Sequence, residues 1–292
     1  MGRNLRAVLG GTLVAAVLAG CSSSSSGTSV VGSFYPLAWA AERIGGNHFS
    51  VLDLTPPGVE AHDVNLNAKQ VGEIETAKVV LLLGYLGFEP QVEAAARQAN
   101  GRVVLLTSGL QLRPSTEKGL SADPHVWLDP VLMREMASRI GDALERADPG
   151  DRSQIQSRTD ALTKQLSQLD EDYRHGLSGC RYTIFVTTHE AFGYLAQQYG
   201  LDQLGIEGLT PEAEPSAGRL QIAESTIRDG KAAPAVFYEG TSEGQRIGRS
   251  VASDLGVSAL PLGTLEFDPS PDNYLTVMRD NLRNLERGLQ CK

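Results

Sequence analysis

The chain has 292 residues, of which 35 are acidic and 26 basic, giving a formal net charge of −9, and 41% are hydrophobic. This length allows two compact domains, and the acidic balance excludes the basic surface that nucleic-acid binding requires. Beyond the first 20 residues no apolar run approaches 18 residues, so we expect the body of the chain to be soluble.

The N-terminus has the pattern of an export signal. Arg3 and Arg6 precede an uncharged stretch, 7–19, which would span about 20 Å as a helix, short of the ~30 Å hydrocarbon core. It ends in Leu-Ala-Gly-Cys, which resembles the bacterial lipobox, so we predict a signal peptide over 1–20 and lipidation of Cys21. The serine-rich residues 21–28 are predicted to be a flexible tether. The alternative is an ordinary signal peptide that is cleaved without lipidation, with a cysteine beside it by coincidence. Cleavage would change the net charge from −9 to −11, because it removes two arginines.

Short apolar runs alternate with helical patterns along the rest of the chain. The runs of strand length are 30–34, 51–54, 79–83, 103–106, 183–187, 235–239 and 257–262, with helical stretches such as 37–44 and 90–98 between them. Strands alternating with helices predict an α/β fold with mainly parallel sheets covered by helices. We expect two similar lobes, over 29–148 and 179–292.

A single long helix, 149–178, is predicted to join the lobes. Its apolar residues recur at helical spacing, and charged residues occupy the other faces. They are Ile155, Leu162, Leu166, Leu169, Tyr173 and Leu177. A stiff connection of this kind would restrict hinge motion between the lobes.

Cys180 and Cys291 are the two cysteines besides Cys21. In an oxidising extracytoplasmic compartment, an isolated pair predicts one disulfide. The alternative is a pair of metal-binding thiols, but the two residues lack the close spacing typical of thiolate sites.

Three of the five histidines lie at predicted junctions between strands and helices. His62 follows the strand 51–54, His125 precedes a helix that begins near Pro130, and His189 follows the strand 183–187. Ligands of open α/β sheets bind outside the carboxyl ends of the strands, so these side chains are expected to converge on a cleft between the lobes. Neutral imidazole suits zinc and neighbouring transition metals, which predicts a metal site.

Each metal-bound imidazole needs an oxygen partner on its other nitrogen. The acidic residues beside the three histidines are candidates for that role: Asp63, Asp123, Asp129 and Glu190. His48 and His175 lack this context and are predicted to face solvent.

With these motifs in place, the chain resembles the cluster A-I metal-binding proteins of bacterial ABC importers, in their zinc-binding branch. The resemblance extends from Val30 to the C-terminus. Its segments are Ser33-Phe34-Tyr35-Pro36, Gly58 to Asp63, Asp123-Pro124-His125-Val126-Trp127-Leu128-Asp129-Pro130, Thr188 to Tyr194 and Gly208 to Ser216. It implies two α/β lobes joined by a long helix, with the metal held in the cleft by His62, His125 and His189.

Two features depart from the family pattern. Residues 107–124 contain no histidine, whereas zinc-binding members often carry a His-rich loop there. Gly263 and Thr264 fall where many members supply a fourth, carboxylate ligand. The fourth position is therefore open among Glu266, Asp268, Glu60, Glu239 and a water molecule, and Glu239 could equally orient a ligand.

The resemblance implies an extracytoplasmic, lipid-anchored monomer that binds zinc as cargo and delivers it to an ABC permease, without enzymatic activity. A metallochaperone is a further candidate partner. His189 stands where the manganese branch commonly has glutamate, which favours Zn²⁺ over Mn²⁺. The alternatives are a manganese-binding member, a zinc-dependent hydrolase with Glu190 as base, and an added adhesin role. Neither an HExxH motif nor a nucleophile elbow supports the hydrolase.

Overall fold

The structure is a computed structural model that describes residues 1–2, 29–210 and 216–292. The predicted signal peptide, the lipidation site at Cys21 and the serine tether therefore lie outside the described residues, apart from the first two positions. Within the described ranges, no helix is both long and apolar enough to cross a membrane.

The described residues form eight strands and nine α-helices. The strands are β1 Val30–Gly32, β2 Val51–Asp53, β3 Val79–Leu82, β4 Arg102–Leu105, β5 Ile184–Thr187, β6 Asp202–Gly205, β7 Ala232–Tyr238 and β8 Ser258–Pro261. The helices are α1 Tyr35–Gly45, α2 Ala68–Thr76, α3 Pro90–Ala96, α4 Pro130–Ala147, α5 Arg152–Gly176, α6 Gly193–Gln198, α7 Ala217–Arg228, α8 Ser242–Leu255 and α9 Tyr274–Leu289. Short 3₁₀ helices lie at Gly46–His48, Ala61–Asp63, Val126–Leu128 and Pro149–Asp151.

The strands form two parallel four-stranded sheets of the same topology. The first has the order β2-β1-β3-β4 and the second the order β6-β5-β7-β8. In each sheet the two central strands are apolar and almost wholly buried, which is the pattern of strands covered on both faces. The predicted two-lobe α/β fold is confirmed.

Helix α5 connects the two halves of the molecule. It packs against α4 and α1 of the first lobe and against α9 of the second. The predicted apolar stripe is buried from Ile155 to Tyr173, and the Tyr173 hydroxyl donates to the carbonyl of Met278 at 2.7 Å. One hydrophobic core includes this stripe and residues of both lobes, so α5 is part of a continuous interior.

A disulfide joins Cys180 to Cys291, the pair that the sequence predicts. It connects the segment after α5 to the second residue beyond α9. The Tyr182 amide also donates to the carbonyl of Leu289 at 3.2 Å, so the C-terminal tail is held beside the start of the second sheet.

Candidate metal centre

The candidate ligands lie at the carboxyl ends of strands from both sheets, facing one another across the lobe junction. His62 follows β2, His189 follows β5 and Glu266 follows β8, while His125 precedes the 3₁₀ turn that leads into α4. Because all strands within a sheet are parallel, their carboxyl ends lie at one edge, and the loops there converge.

Three buried side chains form the centre of the cluster. His125, His189 and Glu266 are each no more than 1% exposed, and they offer ligand atoms that all lie within 4.8 Å of one another. Glu266 Oε1 lies 3.7 Å from His125 Nε2 and 3.9 Å from His189 Nδ1. His62 reaches the same carboxylate, with its Nδ1 3.1 Å from Glu266 Oε2. The structure thus brings the three predicted histidines together around one carboxylate.

Two further carboxylates orient the buried imidazoles. Asp123 Oδ1 lies 2.9 Å from His125 Nδ1 and also accepts from the backbone amide of His125 at 3.0 Å. Glu239 Oε2 lies 2.9 Å from His189 Nδ1. A carboxylate on the second ring nitrogen is the usual way in which proteins fix a metal-binding histidine.

Two atoms of this cluster fit a bound cation. His125 Nε2 and Glu266 Oε1 are both buried without a hydrogen-bond partner among the described residues. Leaving such atoms unpaired is costly, because each loses its hydrogen bonds to water. Ligands of a tetrahedral zinc ion, each about 2.0–2.1 Å from the metal, lie roughly 3.3 Å apart, close to the separation observed here. A metal ion between the two atoms would satisfy both.

The ionisable groups of the cluster shift one another's pKa values. Burial favours the neutral form of His189, but Glu239 and Glu266 outweigh it and raise its pKa to about 10. Burial also opposes ionisation of Glu266, but the neighbouring imidazoles of His125 and His62 hold the pKa of that carboxyl well below its usual range. Burial together with Glu239 and Glu266 raises the pKa of Glu60 to about 8. The centre therefore favours positive charge, in the form of protons or of a cation.

The structure distinguishes among the four candidates for a fourth ligand. Glu266 lies in the cluster, whereas Asp268 is exposed and accepts from the Ser270 hydroxyl. Glu60 lies 3.4 Å from His62 Nε2 at the outer side of the cluster, and Glu239 partners His189.

The loop before Glu266 is anchored through the backbone of Gly263 and Thr264, the two positions at which the family resemblance leads one to expect an acid. Trp127 Nε1 donates to the carbonyl of Thr264 at 2.7 Å, and the Gly263 amide donates to Asn281 at 2.7 Å. These bonds hold the loop so that the acid two residues beyond Thr264 enters the cluster.

The other sequence candidates have different roles. Asp63 is 72% exposed, 3.8 Å from His62 Nε2. Asp129 accepts from the Val131 amide at 2.8 Å and caps α4. Glu190 pairs with Arg219. His175 is exposed, and His48 is 40% exposed beside Asp151.

Sequence reasoning missed two contributors to the site. The carbonyl of Leu209 lies 2.9 Å from His189 Nε2, and the carboxylate of Glu117 accepts from the amides of Leu209 and Thr210 at 2.5 and 3.1 Å. The first is a backbone contact and the second joins residues about 90 positions apart, so no sequence motif could reveal either.

Comparison with known proteins agrees with this arrangement. The family model described as the zinc-uptake complex component A periplasmic, ZnuA, matches residues 30–288. The zinc-binding lipoprotein AdcA of Streptococcus pneumoniae strain R6 is 30% identical over 94% of this chain, which spans only 59% of that protein. The high-affinity zinc uptake system protein ZnuA of Bacillus subtilis is 28% identical, covering 94% of this chain and 95% of that one.

Solved structures show the same fold. The laminin binding protein Lmb of Streptococcus agalactiae, described as bifunctional with adhesin and metal transporting activity, has a TM-score of 0.78 at 31% identity, over 90% of this chain and 100% of that one. Zn(II)-bound AdcA of Streptococcus pneumoniae has a TM-score of 0.76 at 29% identity, over 90% of this chain and 58% of that one. The chain belongs to the ZnuA family of zinc-uptake components.

Proposed function

We propose that the chain captures zinc as cargo, with His62, His125, His189 and Glu266 as ligands. The observation that carries this proposal is the pair of buried, unpartnered atoms His125 Nε2 and Glu266 Oε1 that face each other across the lobe junction. The Zn(II)-bound and zinc-binding relatives support zinc as the cargo.

The composition of the donor set favours zinc over manganese. Three imidazoles and one carboxylate suit a tetrahedral zinc ion, whereas manganese is better matched by oxygen-rich sites. Protons compete for the same nitrogens, so zinc affinity is expected to increase with pH.

Capture also fits the site better than catalysis. Four protein donors would close a tetrahedral shell, whereas catalytic zinc sites keep a position open for water or substrate. Glu190, the candidate base of a hydrolase, is paired with Arg219 instead of pointing at the cluster.

We further propose that the mature chain is anchored by a lipidated Cys21 outside the cytoplasmic membrane and delivers zinc to an ABC permease as a monomer. The zinc-uptake family and the lipoprotein name of the AdcA relative support this placement. In this proposal the mature chain consists of two lobes, 29–148 and 179–292, joined by the helix region 149–178. A metallochaperone remains a candidate source of the metal.

Metal content and competition titration of the purified chain test the proposal. His125→Ala, His189→Ala and Glu266→Gln should each weaken zinc binding at least about 100-fold, because each removes a donor from a buried shell. His175→Ala is the matched control, since that side chain is exposed, and should bind like the parent. A preference for manganese, or unchanged zinc binding in all the ligand variants, would overturn the assignment. Turnover of ester or amide substrates that His189→Ala abolishes would favour the hydrolase.

A further inference from the structure

The segment 108–123, which we call the strap, leads from β4 towards His125 and touches the second lobe at two places. The Arg113 amide donates to the Tyr194 hydroxyl at 2.9 Å, and that hydroxyl donates to the carbonyl of Asp123, the last residue of the strap, at 2.8 Å. In its middle, Glu117 binds the amides of Leu209 and Thr210. The strap thus contacts the surroundings of both His125, through Asp123, and His189, through Leu209.

Glu117 and His189 bind opposite ends of one peptide unit. The carbonyl of Leu209 and the amide N–H of Thr210 belong to the same planar trans group and point in opposite directions. The carbonyl lies 2.9 Å from His189 Nε2, and the N–H donates to Glu117 Oε2 at 3.1 Å. Rotating this peptide away from His189 therefore also breaks the hydrogen bond to Glu117.

Both ring nitrogens of His189 have an acceptor beside them, Glu239 on Nδ1 and Leu209 on Nε2. A metal ion on this imidazole must replace one of the two. In His125 the carboxylate of Asp123 occupies Nδ1 and leaves Nε2 facing the cluster. Nδ1 of His189 lies 3.9 Å from Glu266 Oε1, but Glu239 occupies it in the same way. A metal ion that leaves Glu239 in place therefore binds at Nε2 and displaces the carbonyl of Leu209.

Gly208 permits the close approach of the carboxylate. A Cβ atom at this position would collide with Glu117 Oε1. The approach therefore depends on a residue without a side chain next to Leu209, which gives a second, independent way of disturbing the contact.

We propose that Glu117 is a latch that holds the carbonyl of Leu209 on His189 and so opposes metal binding at that imidazole. The inference rests on the proposed function. The latch makes zinc binding conditional on releasing the strap from the loop 207–210, and it couples occupancy of the centre to a contact between the lobes. Glu117 acts here as a positioning residue that does not touch the metal.

Competition titration of Glu117→Gln and Gly208→Ala tests the latch. Both variants should bind zinc about three- to tenfold more tightly than the parent, the change expected when one hydrogen bond of ordinary strength is lost from the competing arrangement. Simple electrostatics predicts the reverse for Glu117→Gln, because removing a negative charge weakens cation binding. The double variant should gain no more than either single variant, since both act on one contact.

Glu243→Gln is the matched control, because it removes the same charge from a side chain that is 50% exposed on α8. Its zinc affinity should equal that of the parent. Equal or weaker binding in Glu117→Gln would overturn the latch, as would independent gains in the double variant. If the parent and this control fail to bind zinc, the proposed function fails; if both bind and Glu117→Gln shows no gain, only the latch fails.

Two spectroscopic signatures separate a latch from a purely structural role. Zinc should accelerate hydrogen exchange at the Thr210 amide of the parent, whereas that amide should exchange rapidly in Glu117→Gln with or without zinc. The ¹⁵N shifts of the zinc-bound parent should show coordination through Nε2 of His189. Coordination through Nδ1 with a protonated Nε2, or zinc-induced protection of Thr210, would overturn the proposal.

Discussion

Glu89 is a buried carboxyl group outside the candidate centre. The preceding residue, Phe88, packs its ring against those of His62 and His125. Glu89 is 4% exposed, its Oε2 accepts from the Ser33 hydroxyl at 2.7 Å, and its Oε1 has no hydrogen-bond partner in the described ranges. Burial, reinforced by Glu93 and Asp53, raises its pKa from 4.5 to about 8. The folded protein therefore binds this proton more tightly than the unfolded chain does.

The sign of the resulting pH dependence follows from linkage. Between about pH 4.5 and 8 the folded state holds the proton and the unfolded state does not, so stability falls as pH rises. Glu89→Gln keeps a neutral group that can pair with Ser33. From pH 5 to pH 8 the free energy of unfolding should fall in both proteins, but less in Glu89→Gln than in the parent. The two decreases should differ by on the order of 2 kcal/mol. Urea unfolding at both pH values, without zinc, measures this difference.

Glu135→Gln provides the comparison for this experiment, because its side chain is 48% exposed. Its stability should follow the same pH profile as the parent. Parallel profiles for Glu89→Gln and the parent would contradict the prediction. Asp53, whose pKa burial raises to about 7, adds a slope of the same sign to every variant.

The sequence could predict the role of a residue only where its partner lies close to it along the chain. Asp123 was predictable as the partner of His125, because the two lie only two positions apart in a tight turn. Glu190 was predicted on the same basis and instead pairs with Arg219, since adjacency does not fix the direction of a side chain. Glu239 reaches His189 from 50 positions away, so only the folded sheet reveals which of its two candidate roles it has.

At the scale of elements, the disulfide fixes the last residues beside the second sheet. Its sequence separation is 111 residues, so the bond removes much conformational freedom from the unfolded chain. Replacing both cysteines, Cys180→Ser and Cys291→Ser, should lower the free energy of unfolding by about 2–4 kcal/mol. Urea unfolding of the parent and the double variant measures the change.

Zinc affinity should change less than about threefold in the same double variant, a shift of under 1 kcal/mol. The loop that carries Glu266 is anchored by Trp127 and Asn281, not by the disulfide. A loss of zinc affinity as large as that of a ligand variant would show that the tail positions the centre, contrary to this expectation.

Strongly patterned elements were predictable and polar edge elements were not. The buried stripe of α5 and seven of the eight described strands follow from apolar runs and helical spacing. Strand β6, Asp202–Gly205, was missed because it is an edge strand with Leu204 as its sole large apolar residue in a half-exposed setting. Such a strand is formed by pairing with its neighbour, a tertiary effect that single-sequence patterns do not contain.

At the scale of the whole molecule, contacts across the lobe junction favour local rearrangement over closure. The Tyr274 hydroxyl donates to the carbonyl of Trp127 at 2.6 Å, and the Tyr274 amide donates to the Tyr35 hydroxyl at 3.0 Å. These bonds are buried, and one hydrophobic core includes α5 and side chains of both lobes. Opening the cleft by rotation would expose this core and break the buried bonds.

Zinc binding should therefore leave the overall dimensions almost unchanged. We expect the radius of gyration from small-angle X-ray scattering to change by less than about 0.5 Å on zinc addition, because no hinge of the kind that closes two-domain binding proteins is free to move. Hydrogen exchange on the same samples should change near His189 and residues 207–210, because the proposed latch requires the carbonyl of Leu209 to leave His189 when zinc binds. Zinc-free protein supplemented with magnesium provides the control for ionic effects.

A decrease in radius of 1 Å or more, about twice that limit, or altered exchange along α5, would show that the lobes close as rigid bodies. The long helix would then act as a hinge, and the contacts of Tyr274 would have to break and re-form with each cycle of zinc capture.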